Sequence, residues 1–170
     1  SGRGIMFPRP DAAAPNVSPG ARWYWVRHGP VLDPDGILYG RIDLPADLAD
    51  TARIARQAAL LPRGALWIES PLSRARQTGA ALRAALGDTA EILIEPDFVE
   101  QDFGAWQGRP AREVYAALPA DHPFWRDPAT SAPPGGESFA ALAARVRAAI
   151  RRHAGRHAGR DIVVVAHGGP

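Results

Sequence analysis

Two strand-like segments near opposite ends of the chain limit its fold more than any other feature. Residues 22–29 (Arg-Trp-Tyr-Trp-Val-Arg-His-Gly) begin with aromatic and β-branched residues, and residues 161–169 contain Ile-Val-Val-Val-Ala before His-Gly-Gly. Such runs are typical of buried strands. Each segment therefore predicts a strand with a histidine, His28 or His167, at its carboxyl end, where open α/β sheets hold their functional sites.

A single histidine at a strand end is more often structural or solvated than catalytic. Here Arg27 precedes His28, and glycines follow both histidines. The repeated arrangement is a stronger indication of chemistry than either histidine alone.

The composition excludes several classes of function. Cysteine and lysine are absent, which rules out disulfides, a cysteine nucleophile, zinc held by cysteine and a Schiff base on lysine. A net charge of +2, with arginines scattered along alanine-rich segments, gives no prediction of nucleic-acid binding. The sequence contains no apolar run of about 18 residues and no signal-peptide pattern, so we expect no membrane span and a cytoplasmic location.

The first twenty residues differ in composition from the rest. Residues 1–20 contain four prolines and few apolar side chains. This predicts a flexible leader before a single domain at 21–170. Met6 is an alternative start to Ser1, with residues 1–5 a vector remnant, and the sequence leaves this point open.

Helices and strands alternate along the rest of the chain. Helices are predicted at 48–61, from 70 to Gly87, at 109–118 and from Ser138, strands at 65–69 and 90–95, and ordered loops at 30–44 and 119–136. This order predicts a three-layer α/β/α sandwich, with a mostly parallel sheet and helices on both faces.

Two motifs suggest other chemistries. Residues 33–36, Asp-Pro-Asp-Gly, resemble the nucleophile loop of haloacid-dehalogenase-type phosphatases, but that family's threonine, preceding strand and downstream lysine are missing, so we expect a turn. His153 and His157 are four residues apart and are candidate ligands for one metal ion. No third ligand accompanies them, so a solvated helix end and no metal site are expected.

Several motifs resemble the histidine phosphatase superfamily, the phosphoglycerate-mutase-like enzymes. Arg27-His28-Gly29 matches the family signature after the first strand, and residues 70–75 match its Ser-Pro-Leu-x-Arg-Ala stretch. Residues 100–104 match its Glu-x-x-Phe/Tyr-Gly stretch, and His167 matches its second histidine. The resemblance covers nearly all of the chain from Arg22 onward and implies the same α/β/α fold.

The resemblance implies catalytic roles for His28, Glu100 and His167. Neutral imidazole is a nucleophile without negative charge, and a carboxylic acid can protonate the leaving alkoxide and then activate water. Arginines neutralise a phosphate dianion, so Arg27, Arg74 and the backbone at Gly168 are expected to bind it. Neither a cofactor nor a metal is required.

Arg74 has an argument of its own. It lies in the first turn of a predicted helix, where a cation is unfavourable unless an anion lies next to the helix terminus. A surface position is the alternative, but this placement favours a role in binding phosphate.

The finer resemblance is to α-ribazole phosphatases and related small phosphatases that act on a phosphorylated metabolite. It is carried by residues 38–45, 102–108 and 133–138. Only about 30 residues separate the Glu100 region from the last helix, which favours hydrolysis over mutase-type phosphotransfer. A catalytically silent module that binds phosphorylated ligands is a further alternative. The mutases commonly follow Arg-His-Gly with Glu-Ser/Thr and, further along, an asparagine that contacts phosphate; here Pro30, Val31 and Pro34 occupy those places.

The relatives implied by the resemblance continue past the equivalent of Pro170 with a helix and commonly a strand. Without them, one face of the sheet would be partly bare. We therefore expect the 170 residues to be a fragment of a longer chain, or to cover this face with a second copy as a homodimer.

Overall fold

Among the residues that the structure describes, a four-stranded parallel sheet forms the centre. The computed structural model describes residues 20–33 and 35–170, so the leader predicted at 1–20 lies, apart from Gly20, outside the described residues. The strands are β1 (Arg22–Arg27), β2 (Leu66–Glu69), β3 (Ile92–Ile94) and β4 (Asp161–Ala166). Their order is β1-β4-β2-β3, and each neighbouring pair is parallel.

In the described part of the chain, five α-helices and two 3₁₀ segments connect the strands. They are α1 (Thr51–Ala58), α2 (Ser73–Leu86), α3 (Ala111–Ala117), α4 (Pro123–Arg126) and α5 (Phe139–Arg156), with 3₁₀ segments at Pro96–Phe98 and Gly104–Trp106. The first helix begins later than predicted because the Asp50 carboxylate accepts from the Arg53 amide and caps it. The loop predicted at 119–136 contains α4, which the sequence did not predict.

The sheet is covered on both faces, which confirms the three-layer prediction. Side chains alternate along each strand, so β4 and β2 present apolar groups to both sides. One cluster packs α5 and Phe98 against Ile68 and Val164. The other packs α1 and α2 against Trp67 and Val165. Of the two central strands, β2 is buried throughout and β4 is buried from Ile162 onward, as expected for a parallel sheet.

The first strand is not the buried strand that its sequence predicts. It forms one outer edge of the sheet, and 42 % of the Trp25 surface is exposed. Trp23 and Trp25 stack on each other with ring centroids 6.1 Å apart, and Trp25 meets Phe98 edge-to-face. The aromatic residues that suggested a buried strand therefore lie on an edge strand. Among the described residues, no helix is long and apolar enough to cross a membrane.

The parallel register brings three chain segments together at one end of the sheet. Arg27 pairs with Ala166, and Glu69 pairs with Val165. The His28 amide donates to the Ala166 carbonyl at 2.9 Å, and the Ser70 amide donates to the Val165 carbonyl at 3.0 Å. The residues that follow β1, β2 and β4 therefore meet at the carboxyl end of the sheet.

Candidate active site

The two strand-end histidines face each other. Their ring centroids are 5.2 Å apart, and His28 and His167 are 7 % and 6 % exposed. Nδ1 of His28 lies 2.6 Å from the Gly29 carbonyl oxygen. A carbonyl only accepts, so Nδ1 of a neutral His28 carries the proton, and Nε2 keeps a free lone pair. The sequence predicted that both histidines lie in one site, but it did not predict this tautomer.

His167 is held by a serine from the neighbouring strand. Its Nε2 lies 2.7 Å from Oγ of Ser70, which is fully buried directly after β2. Its Nδ1 is also buried and has no hydrogen-bond partner among the described residues. The sequence did not identify Ser70 as a site residue. Its position at a strand end was the available signal.

Both imidazoles are kept neutral by their surroundings. Burial lowers the pKa of His28 to about 4, and the charges of Arg74 and Arg27 act in the same direction, against the opposing hydrogen bond to Gly29. Burial lowers the pKa of His167 to about 2, and Arg74, His28, Arg145 and Arg27 act in the same direction. Both rings are therefore uncharged at neutral pH.

Arg74 lies beneath the site instead of on the protein surface. It is fully buried at the start of α2, and its Nη1 and Nη2 donate to the carbonyl oxygens of Ile42 (2.8 Å) and Gly40 (2.6 Å). Its guanidinium carbon is 4.9 Å from the centre of the Tyr39 ring. Burial lowers its pKa. Nε has no hydrogen-bond partner among residues 20–33 and 35–170.

Arg27 is exposed and lies beside Gly168, where a Cβ would be 3.7 Å from the guanidinium carbon. A hollow of about 250 Å³ next to it is lined by Arg27, His28, Gly29, Pro30, Tyr39 and Arg53. A wider groove of about 580 Å³ continues along the edge of β1 and along α1. The smaller hollow combines a histidine with two guanidinium groups and suits a small anion.

Glu100 lies on the irregular segment between the two 3₁₀ segments and contacts the residues that follow His167. Its carboxylate accepts from the amides of Gln101 (2.8 Å), Gly168 (3.2 Å) and Gly169 (3.2 Å). A side chain on Gly169 would collide with this carboxylate. The Gly168 amide, predicted to bind phosphate, donates to Glu100 in this structure. Glu100 is thereby fixed against the segment that follows His167.

The loop after β1 is built as a turn and contacts the site. The Asp33 carboxylate accepts from the Ile37 amide at 3.0 Å, a contact typical of a turn. The Gly29 amide donates to Oγ1 of Thr78 at 2.8 Å, and that hydroxyl donates to the Arg74 carbonyl at 2.7 Å. Thr78 therefore connects the loop to α2.

The prediction of a solvated His153 is wrong. His153 is 6 % exposed, and its Nε2 lies 2.7 Å from Oε2 of Glu95. Burial disfavours ionisation of Glu95, but hydrogen bonds from the Asp97 amide and from His153 outweigh it and lower its pKa. His157 stacks on His153 with centroids 5.7 Å apart. In the described part of the chain, no three histidine, aspartate or glutamate side chains cluster as metal ligands.

The comparison with known families agrees with this geometry. The sequence model described as histidine phosphatase superfamily, branch 1, matches residues 23–170. The chain belongs to the histidine phosphatase superfamily. That confirms the family expected from Arg27-His28-Gly29, and its matched region contains every residue of the site described above.

Relatives of this chain include enzymes named for their substrates. It is 34 % identical to a glucosyl-3-phosphoglycerate phosphatase of Mycolicibacterium vanbaalenii over 87 % of this chain and 69 % of the relative. It is 37 % identical to a bifunctional protein of Mycobacterium tuberculosis over 61 % of this chain. It spans only 28 % of that protein's length.

Solved structures show the same fold. A mycobacterial glucosyl-3-phosphoglycerate phosphatase superposes with a TM-score of 0.72 at 28 % identity, covering 85 % of this chain and 73 % of the other. The α-ribazole phosphatase of Shigella flexneri superposes with a TM-score of 0.70 at 25 % identity, covering 86 % and 73 %. Both likenesses extend over most of the domain.

Proposed function

We propose that this domain hydrolyses the phosphomonoester of a small metabolite through a phosphohistidine on His28. The observation that carries the proposal is the neutral His28 ring, whose Nδ1 is bound by the Gly29 carbonyl and whose Nε2 is left as a nucleophile. Arg27 and Arg74 supply positive charge beside it, and His167 lies 5.2 Å away. The named phosphatases among the relatives support this assignment.

The reaction has two steps on this geometry. In the first, Nε2 of His28 forms a bond to phosphorus, and the bond from phosphorus to the ester oxygen breaks, while protonated Glu100 gives its proton to the leaving oxygen. In the second, Glu100 takes a proton from water, the water oxygen bonds to phosphorus, and the nitrogen–phosphorus bond breaks. The products are an alcohol and inorganic phosphate, and His28 returns to its neutral state.

The phosphate oxygens need fixed donors during both steps. Buried Nδ1 of His167 and buried Nε of Arg74 have no hydrogen-bond partner within the described ranges. Buried polar atoms are usually paired, so these two positions suit a bound anion. His167 with a protonated Nδ1 accepts from Ser70 through Nε2, and its N–H is then available to the phosphate.

The substrate class follows from the relatives' names and from the hollow. Glucosyl-3-phosphoglycerate and α-ribazole phosphate are small phosphorylated metabolites, and a hollow of about 250 Å³ admits a phosphate with part of its leaving group. We propose a substrate of this class, with an α-ribazole-5'-phosphate-like compound as one candidate. The cytoplasmic location and the homodimer expected from the sequence stay predictions.

Two other functions are separated from hydrolysis by direct measurements. Mutase-type phosphotransfer returns the phosphoryl group to the substrate, whereas hydrolysis releases inorganic phosphate. A silent binding module binds phosphorylated ligands without forming phosphohistidine. The presence of Glu100 beside the segment after His167 favours a catalytic site.

The test is to trap the intermediate. Wild-type protein mixed with ³²P-labelled p-nitrophenyl phosphate in the presence of EDTA should release phosphate and carry acid-labile label on the peptide with His28. His28→Gln should lose the label and at least about a hundredfold in turnover, because covalent catalysis is removed. Arg147→Gln, a change at an exposed residue of α5, is the control. Label on the peptide with His153 and His157, or full activity of His28→Gln, contradicts the proposal.

A further inference from the structure

Glu100 lies on a segment without regular secondary structure, so its own backbone does not fix its position. A general acid must lie within hydrogen-bond distance of the leaving oxygen, about 2.6–3.2 Å. The contacts that hold this segment therefore decide whether Glu100 can act.

Two arginines bind the Glu100 backbone from different parts of the chain. Nη2 of Arg145 donates to the Glu100 carbonyl at 3.1 Å, and Nε of Arg41 donates to the same oxygen at 3.3 Å. Nη1 of Arg145 also donates to the Asp97 carbonyl at 2.6 Å. Arg145 thus binds two carbonyls of the segment that ends in Glu100.

Glu137 fixes the orientation of both arginines. Its carboxylate accepts from Nη2 (2.6 Å) and Nε (3.1 Å) of Arg145, a bidentate pair, and from Nη2 of Arg41 (3.1 Å). It also accepts from the Asp102 amide at 3.1 Å, and its own amide donates to the Asp102 carbonyl at 2.9 Å. Glu137 is therefore bonded directly to Asp102, after Glu100, and through Arg145 to the Asp97 carbonyl before it.

The pair is rigid and charged. Burial disfavours ionisation of Glu137, but the hydrogen bonds from Arg145 and from the Asp102 amide outweigh it and lower its pKa. Both side chains are 16 % exposed. Arg145 belongs to α5, which packs on the sheet through Leu142 and Val146. Arg145 also lies near enough to contribute to the lowered pKa of His167.

We propose that Arg145 and Glu137 are positioning residues for Glu100. The ion pair between them holds the Glu100 carboxylate in place for proton transfer. This inference rests on the acid–base role proposed above for Glu100. Within the described ranges, no hydrogen bond or ion pair joins Arg145 or Glu137 to His28 or His167, so they act through Glu100 and not on the substrate. The rest of the phosphoryl-transfer machinery would stay in place without them.

The test compares His28 phosphorylation rates in single-turnover experiments with two substrates. An alkyl phosphate needs a proton on its leaving oxygen, whereas p-nitrophenyl phosphate has a good leaving group and needs it less. Glu100→Gln should lower the alkyl rate by roughly a hundredfold or more and the p-nitrophenyl rate much less. Arg145→Gln and Glu137→Gln should each lower the ratio of the alkyl phosphate rate to the p-nitrophenyl phosphate rate about tenfold. Arg147→Gln should leave this ratio unchanged.

Combining the changes separates positioning from general stability. In a Glu100→Gln background, Arg145→Gln should no longer alter the ratio, since the group that it positions is gone. Arg145→Lys keeps the charge and should give an intermediate ratio, which serves as the second variant if Arg145→Gln does not fold. Equal loss with both substrates in the Arg145 and Glu137 variants overturns the positioning role alone. Equal loss with both substrates in Glu100→Gln overturns the acid–base role and the positioning role together.

Discussion

The imidazole of His28 has an environment that excludes its charged form. Burial and the charges of Arg74 and Arg27 lower its pKa to about 4, although its hydrogen bond to Gly29 acts in the other direction. An unperturbed histidine titrates near pH 6.5. A histidine in this environment therefore keeps a free nitrogen lone pair well below neutral pH.

This environment predicts a specific spectroscopic result. At pH 5.5 the ring nitrogens of His28 should show ¹⁵N shifts of a neutral ring with the proton on Nδ1, because the Gly29 carbonyl accepts only from that nitrogen. Most ordinary histidines would be protonated at this pH. Two-bond ¹⁵N–¹H correlation spectra of wild type and His28→Gln assign the signals. A His28 ring that is mostly charged at pH 5.5, or protonated on Nε2, contradicts the prediction.

The position of a site residue could be predicted where the residue follows a strand. It could not be predicted where it depends on a partner far away in the sequence. His28 and His167 follow strands, and the parallel register brings them together. Ser70 is joined to His167 across 97 positions, and His153 is buried against Glu95 across 58 positions. A local pattern holds no information about either pair, so both contacts were missed.

The second helix, α2, contains a glycine that helix formation itself does not require. Gly79 is buried in the middle of the helix, where a Cβ would collide with the carboxylate of Glu69. Glu69 is buried at the end of β2 and is paired with Arg83, whose guanidinium carbon lies 5.1 Å from the centre of the Trp67 ring. The absent side chain makes room for a buried ion pair.

The same substitution should therefore have opposite effects in two helices. Gly79→Ala should lower the free energy of unfolding by about 1–3 kcal/mol, because overpacking against Glu69 outweighs the gain in helix propensity. Gly155→Ala in α5 meets no atom within 4 Å and should raise it by up to about 1 kcal/mol. Urea unfolding at pH 7 measures both. Equal stabilisation by the two changes would show that Glu69 adjusts freely.

Helix and strand boundaries could be predicted only where a local sequence signal marks them. Gly87, with a φ of 63°, ends α2 as predicted, and the Ser138 hydroxyl caps α5 by accepting from the Ala141 amide. The start of α1 depends on a side-chain cap by Asp50 that apolar periodicity does not reveal. The edge position of β1 depends on the strand order, which no single segment encodes.

At the scale of the whole molecule, the sheet places neutral histidines inside a protein that is otherwise rich in charge pairs. The alternation of strands and helices was sufficient to predict the layers and the parallel direction. The cost of burying imidazoles could not be predicted, because it depends on how tightly α2 and the loop after β1 cover the site. His28 and His167 have lowered pKa values of about 4 and about 2.

These values determine how stability should change with pH. Below pH 6.5 the unfolded chain protonates these two histidines while the folded chain does not, so the unfolded state binds more protons and stability falls as pH falls. The loss begins near pH 6.5 and continues toward pH 4 for His28 and toward lower pH for His167, at up to about 1.4 kcal/mol per pH unit for each ring. Urea unfolding at pH 7 and pH 5 should show this loss, and His28→Gln with His167→Gln should reduce it because neither glutamine titrates. An equal loss in the double variant would mean that the acid sensitivity arises from other groups and that these imidazoles are not held neutral.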